Sequence, residues 1–169
     1  MGQWCSVLIN QRQVVVRRRA EEYAPNPARR SAASVDNLSA AERSAIMARV
    51  RSKNSRPELL VRKLVYALGY RYRLHAKDLP GHPDLVFRRL RKVVFVHGCF
   101  WHRHARCALA RLPKSRRDFW VPKLEGNKAR DQRNRRALSR KRWKVLTVWE
   151  CQLNELSQLQ SRLRRFLGA

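Results

Sequence analysis

Nine residues, Val96-His97-Gly98-Cys99-Phe100-Trp101-His102-Arg103-His104, gather three histidines, a cysteine and two large aromatics directly after the apolar run Lys92–Phe95. Such a set can bind a soft metal, move a proton near neutral pH and stack on a flat ring. Cys99, His104 and Cys107 lie within nine residues, and Cys151 follows much later. A cysteine, a His-x2-Cys step and a distant cysteine fit a tetrahedral structural zinc site that ties a loop to a remote strand end. The plainer alternative is a set of unconnected buried thiols. If His104 holds a metal, His102 is left free to take a proton from water; otherwise it is a solvated loop histidine. His97 is open to the same two readings. His75 and His82 have no supporting neighbours and read as surface residues.

Asp84, in Gly81-His82-Pro83-Asp84-Leu85-Val86-Phe87, puts a lone carboxylate at the entrance of a short apolar strand. A buried carboxylate stays ionised only with partners or a cation. In the nuclease architecture whose first catalytic strand opens on Pro-Asp, that carboxylate holds Mg²⁺ against the scissile phosphate. The alternative is a turn cap, since Pro-Asp is a common turn dipeptide. Phe100, Trp101 and Trp120 stand among arginines and lysines, the setting in which aromatics stack on or wedge between bases. Trp143 and Trp149 read as core packing.

These residues need elements to hold them. Ser39-Ala40-Ala41-Glu42 has the form of a capping box and predicts a helix carrying Ile46, Met47 and Val50. Ser55-Arg56-Pro57-Glu58 predicts a second, with Leu59, Leu60, Leu64 and Leu68 as its apolar face and Gly69 ending it. Strands are expected at Tyr70–Leu74, Asp84–Phe87 and Lys92–Val96, the last two joined by the turn Arg88-Arg89-Leu90-Arg91-Lys92. A basic helix from Phe119 to about Arg142 has Leu124, Ala129 and Leu138 as its anchors. A buried strand follows at Lys144–Trp149, then a helix from Leu153 to Leu167. The order ααβββαβα predicts an α/β fold, a small mixed sheet flanked by helices.

The 169 residues suit one domain, read as 39–169, preceded by an extension, 1–38, without sustained periodicity. A net charge of +27 makes nucleic acid the leading partner. An anionic membrane surface is the competitor, but no apolar stretch approaches the ~18 residues of a span. Four cysteines, Cys5, Cys99, Cys107 and Cys151, do not make a dense disulfide framework, and residues 1–10 lack a secretory signal. A reducing, cytoplasmic setting is expected, with cysteines as thiols or ligands.

Five blocks carry a resemblance: residues 47–75, "MARVRSKNSRPELLVRKLVYALGYRYRLH", with "LPGHPDLVF", "VVFVHGCFWH", "FWVPKLEGNKARD" and "WKVLTVWEC". In unbroken order they resemble the very short patch repair endonucleases, the bacterial enzymes that nick at T·G mismatches. The resemblance implies a restriction-endonuclease-like fold of the PD-(D/E)XK superfamily, with catalytic Mg²⁺ and structural Zn²⁺. It puts the Mg²⁺ ligands at Asp84 and the main-chain carbonyl of Val96, which accounts for the missing acidic strand residue and lysine at Val96 and Gly98. The general base falls on His102 and a second functional histidine on His97, with Glu58 and Asp131 as carboxylates that hold water and orient the base. Zinc falls on Cys99, His104, Cys107 and Cys151, although family members usually have one residue between that histidine and the second cysteine, where this chain has Ala105 and Arg106. The DNA contacts fall on Met47, Phe100, Trp101, Trp120 and Asn127. The implied activity is hydrolysis 5′ to the mispaired T of T·G pairs left by 5-methylcytosine deamination. The expected partners are double-stranded DNA and mismatch-repair proteins, with the enzyme acting as a monomer. The rival readings are a nuclease of the same fold with other or no mismatch specificity, and a non-catalytic DNA-binding protein.

Overall fold

The computed structural model describes residues 53–168 except His75, together with Glu42 and Ala45. The expected boundary near Ser39, most of the first expected helix and Met47 lie outside the described residues. Helix α1 (Arg56–Ala67) begins where the sequence predicts. The Ser55 hydroxyl accepts from the Glu58 N–H, the Glu58 carboxylate reaches back to the Ser55 N–H, and Pro57 sits in the first turn. The buried face differs from the expected leucine stripe. Glu58, Val61, Arg62, Leu64 and Val65 are covered while Leu59 is exposed. The reason is the Glu58–Arg62 ion pair, which lets two charged side chains share the inner face.

Four strands form one mixed sheet in the order β1 (Arg73–Leu74), β2 (Leu85–Phe87), β3 (Lys92–His97), β4 (Lys144–Trp149). β1 to β3 pair antiparallel, and β3 and β4 run parallel over six residues, from Lys92↔Lys144 to His97↔Trp149. Strand β1 keeps only the end of the alternating Tyr70–Leu74 run, because Tyr70 and Tyr72 instead turn their ring edges to Phe87.

Pleating divides the apolar residues between two faces. Val86, Val93, Phe95 and Val145 pack with Leu138 of the long helix α2 (Arg117–Arg140). Leu85, Val94, Leu146 and Val148 are buried on the other face, where α1 and α3 (Leu156–Leu167) lie. Helix α2 is anchored by Leu124 and Leu138, whereas Ala129, expected as an anchor, is exposed. It ends at Arg140, and Arg142, with φ 58°, turns the chain into β4. The expected C-terminal helix is interrupted: Glu150–Asn154 forms a 3₁₀ turn, and α3 starts at Leu156. That turn aims Cys151 back at the loop after β3. Among the described residues no helix is long and apolar enough to cross a membrane.

Gly81 marks the closest approach of the loop before Asp84 to α2. Its φ is +79°, and a Cβ there would lie 2.8 Å from Asn134 Nδ2 and 3.0 Å from the Asn134 Cβ. Gly69, just past α1, has φ +89°, and a Cβ added there would meet nothing within 4 Å. Gly69→Ala is therefore expected to cost only the left-handed backbone strain, about 1–2 kcal/mol, and Gly81→Ala that strain plus displacement of α2. Denaturant melts of both variants check the ordering; equal losses would mean Asn134 moves aside freely.

Candidate active site and metal centre

At the C-terminal ends of β3 and β4 a cleft of about 1380 Å³ is lined by Glu58, Asp84, His97, Trp101, His102 and Asp131, among others. Asp84 directly precedes β2, and its Oδ2 accepts the Val96 N–H at 2.7 Å. In an extended strand a residue's N–H and C=O point to the same side, so the Val96 carbonyl is also turned toward Asp84 rather than into β4. Burial pushes the Asp84 carboxyl up to about 6; the Val96 N–H opposes this, Glu58 adds to it, and Arg62 and His102 oppose it. The arrangement is one that a cation would complete: a half-buried carboxylate with one oxygen held by the backbone, next to a carbonyl facing the same space.

Across the cleft, His102 Nδ1 lies 2.5 Å from Asp131 Oδ2. The carboxylate assigns the proton to Nδ1 and leaves Nε2 with a lone pair. His97 stacks on His102 with ring centroids 3.8 Å apart and planes at 10°. Burial, reinforced by the His102 charge, pulls the His97 imidazole down to about 4, with Asp131 opposing. A neutral His97 ring thus backs the His102 ring and fixes its plane. Glu58 serves its helix as well as the cleft: it accepts from the Asn54 N–H at 3.1 Å, the Ser55 hydroxyl at 2.8 Å and Arg62 at 2.9 Å.

A second cluster sits behind this one. The ligand atoms of Cys99, His104, Cys107 and Cys151 all lie within 4.8 Å of one another. His104 Nδ1 is 3.6 Å from Cys99 Sγ and 3.4 Å from Cys151 Sγ. A tetrahedral ion with metal–sulfur bonds of about 2.3 Å and a metal–nitrogen bond of about 2.05 Å requires S···N edges of about 3.6 Å. The four residues therefore fit a tetrahedral metal. Burial raises the Cys99 and Cys151 thiols above their ordinary values, so a cation is needed to keep them as thiolates. The longer His-x2-Cys step does not open the cluster. Arg106 takes φ 57° and folds the extra residue into the loop, while Arg103 takes φ 52° between His102 and His104. The two adjacent histidine side chains are thereby sent to different sites.

Phe100, Trp101 and Trp120 form a half-buried group with ring centroids 5.1–6.0 Å apart. Asn127, which the resemblance assigns to DNA, donates to the Trp101 carbonyl at 3.1 Å and so holds this loop to α2. Sequence reasoning misses the place of two aromatics. Phe119 is exposed and joins the group at 5.2 Å from Trp120; the repeated Phe-Trp dipeptide at 100–101 and 119–120 is its signal. Trp149, expected in the core, stacks on His104 at 4.2 Å and turns its edge to His97 at 5.4 Å, so it separates the two clusters. His82 is exposed at the cleft margin, as its surface reading requires, and His75 lies outside the described residues.

A family model described as "DNA mismatch endonuclease Vsr" matches residues 35–109. The chain is 55% identical over 132 residues to the type II nicking enzyme V.XorIIP of Xanthomonas oryzae, covering 78% of this chain and 96% of that one. It is 40% identical to the type II nicking enzyme V.NmeAIP of Neisseria meningitidis, covering 78% and 94%. It is 38% identical to the DNA mismatch endonuclease Vsr of Escherichia coli over 70% of this chain and 76% of that one.

Two outcomes follow from the geometry. Cys151→Ala should release the bound metal and lower the melting temperature, measured by metal content and thermal denaturation of the same sample; unchanged values would remove Cys151 from the ligand set. At Asp84 a proton competes with a cation below about pH 6. Divalent-ion affinity should be flat above that pH and fall about tenfold per unit below it. Calorimetric Mn²⁺ titrations at several pH values check this, with Asp84→Asn as the blank; affinity that ignores pH would exclude Asp84 as a ligand.

Proposed function

The chain belongs to the Vsr family of DNA mismatch endonucleases, and we propose that it is a Mg²⁺-dependent enzyme that nicks 5′ to the T of a T·G mismatch. The observation that carries this reading is one cleft holding a half-buried carboxylate and a carboxylate-oriented imidazole beside a patch of aromatic rings. Asp84 and the Val96 carbonyl would hold Mg²⁺, which when bound supplies charge stabilisation at the scissile phosphate. The Cys99, His104, Cys107, Cys151 cluster would hold Zn²⁺, the ion that three thiolates and one imidazole in a tetrahedron favour.

His102 acts as general base through Nε2, taking a proton from the attacking water. Asp131 keeps Nδ1 protonated and stabilises the imidazolium that forms. His97 holds the ring plane and contributes no charge. Glu58, locked by Arg62, Ser55 and Asn54, sets the electrostatics behind Asp84. Phe100, Trp101 and Trp120 wedge into the duplex. A T·G wobble pair is the cheapest place for that, because unstacking costs least at a mispaired base. A restriction-endonuclease-like origin of the fold is part of the same reading, supported by Pro83-Asp84 opening a strand antiparallel to β3.

The test is nicking of matched and T·G duplexes at one fixed salt concentration, with Mg²⁺ or EDTA. Cleavage is expected on the T strand of the mismatch only, and only with Mg²⁺. His102→Ala should lower the rate about 10²–10⁴-fold, and Asp84→Asn should abolish it, with duplex affinity largely retained in both. Equal cutting of both duplexes would refute the mismatch specificity. A folded, metal-loaded enzyme without any cutting would leave only a DNA-binding protein.

A further inference from the structure

The opposite end of the sheet carries a second concentration of charge that the cleft chemistry does not use. β3 and β4 start there in register, at Lys92↔Lys144, and run to the cleft at His97↔Trp149. Five strand rises separate the two ends, about 17 Å. Two turns meet at the starting end, residues 88–92 (RRLRK) and 140–144 (RKRWK); eight of these ten residues are Arg or Lys, and none is acidic. The turns are physically joined. Arg91 Nη2 donates to the Lys141 carbonyl at 2.6 Å, the Lys144 N–H donates to the Arg91 carbonyl, and the Arg91 guanidinium lies over Trp143.

Several features of this end are unfavourable for the isolated chain. Lys92 and Lys144 are opposed on neighbouring strands; Lys92 Nζ is held by the Leu167 carbonyl at 3.2 Å, so Lys144 is the exposed charge of the pair. Arg91 and Arg142 both take left-handed backbone, φ 49° and 58°, where glycine or asparagine is cheaper. Among the described residues only Arg88 of this group sits in an ion pair, with Asp78. A polyanion laid across the turns offsets the charge crowding, because it neutralises exposed arginines and lysines that have no carboxylate beside them.

We infer that the exposed Arg89, Arg91, Lys141, Arg142, Lys144 surface binds a second segment of DNA duplex while the cleft holds the first. The inference rests on the reading of the cleft as a DNA site, which makes duplex the polyanion at hand. Duplex carries one charge per ~1.7 Å of axis and needs no apolar anchor. An acidic protein docks through buried apolar side chains, and here Leu90 is the one exposed aliphatic residue the two turns offer. Since the two surfaces lie at opposite ends of the strands, the second segment would be another duplex or a distant stretch of the same one. Holding two segments lets the enzyme pass between them without leaving DNA.

The experiment titrates the full chain with a short matched duplex at low salt. Stoichiometry is read by sedimentation and lysine accessibility by acetylation. Two duplexes per chain are expected, with Lys141 and Lys144 protected only by the second equivalent. In Arg89→Gln/Arg142→Gln/Lys144→Gln the second duplex should be lost or bound with a log-affinity against log-salt slope about 2.7 shallower, three phosphate contacts removed. T·G nicking under single-turnover conditions should remain at the wild-type rate. Saturation of the wild-type chain at one duplex overturns the proposal, as does an unaltered second duplex in the triple variant. Protection of both lysines by polyglutamate, without a second duplex, overturns it in favour of an acidic protein. If the triple variant fails to fold, the wild-type protection pattern and the Lys144→Gln single variant decide the same question. Loss of T·G nicking in wild type with the second duplex still bound would refute the cleft reading and leave this one standing.

Discussion

The parallel ladder between β3 and β4 is the contact on which both metal-ligand clusters depend. Its register sets His97 opposite Trp149, and Cys99 and Cys151 each follow two residues after their strand ends. Strands have a period of two, so a slip of one residue would move Val148 to the α2 face and Trp149 to the face covered by α1 and α3. Trp149 would then leave the rings of His97 and His104, and Cys151 would miss its partners. The antiparallel β2–β3 pairing extends the same control to Asp84, whose oxygen lands on the Val96 N–H because Leu85 is opposite Val94. These two pairings thus bring Asp84, His97 and the Cys99 loop together.

Electrostatically the protein is strongly basic, while its cleft mixes carboxylates with lysines and arginines. A chain of net charge +27 draws a polyanion from a distance, yet Glu58, Asp84, Asp131 and Glu150 all line the cleft. A phosphate entering there meets carboxylates, which repel it unless a cation stands between them. On the proposed reading, field and carboxylates would act in sequence: the basic surface draws DNA in, and a cation at the carboxylates permits close approach. The stacked histidines follow the same logic. Burial holds His97 neutral, and its ring backs that of His102, whose Nδ1 is held by Asp131.

The loop from Gly98 to Cys107 shows how one segment can serve two centres. Left-handed conformations at Arg103 and Arg106 reverse the chain within the loop, so His102 faces Asp131 while His104 faces the thiols. Trp149 lies between them, stacked on His104 and edge-on to His97. The aromatic patch grows from the same loop and is steadied by Asn127 of α2. The thiol cluster, the His102–Asp131 pair and the aromatic rings are consequently joined through a few residues of backbone.

Local chemistry makes much of this legible in the sequence. The capping box at Ser55–Glu58, the β-branched runs of β2, β3 and β4, the ligand types at Cys99, His104, Cys107 and Cys151, and the Pro-Asp at the mouth of β2 are each dictated by side-chain propensity or ligand preference. Elements whose form depends on distant partners are not. Leu59 is exposed because Glu58 and Arg62 pair inward, Ala129 is exposed because α2 rests on Leu124 and Leu138, and the last helix breaks because Cys151 must reach His104. Trp149 reads as core for the same reason: nothing near it in sequence announces that His97 and His104 lie beside it. Residue type and local spacing are enough to say which chemistries this chain carries. Which residues share a centre depends on the folded chain, because strand register and side-chain pairing between residues tens of positions apart set those distances.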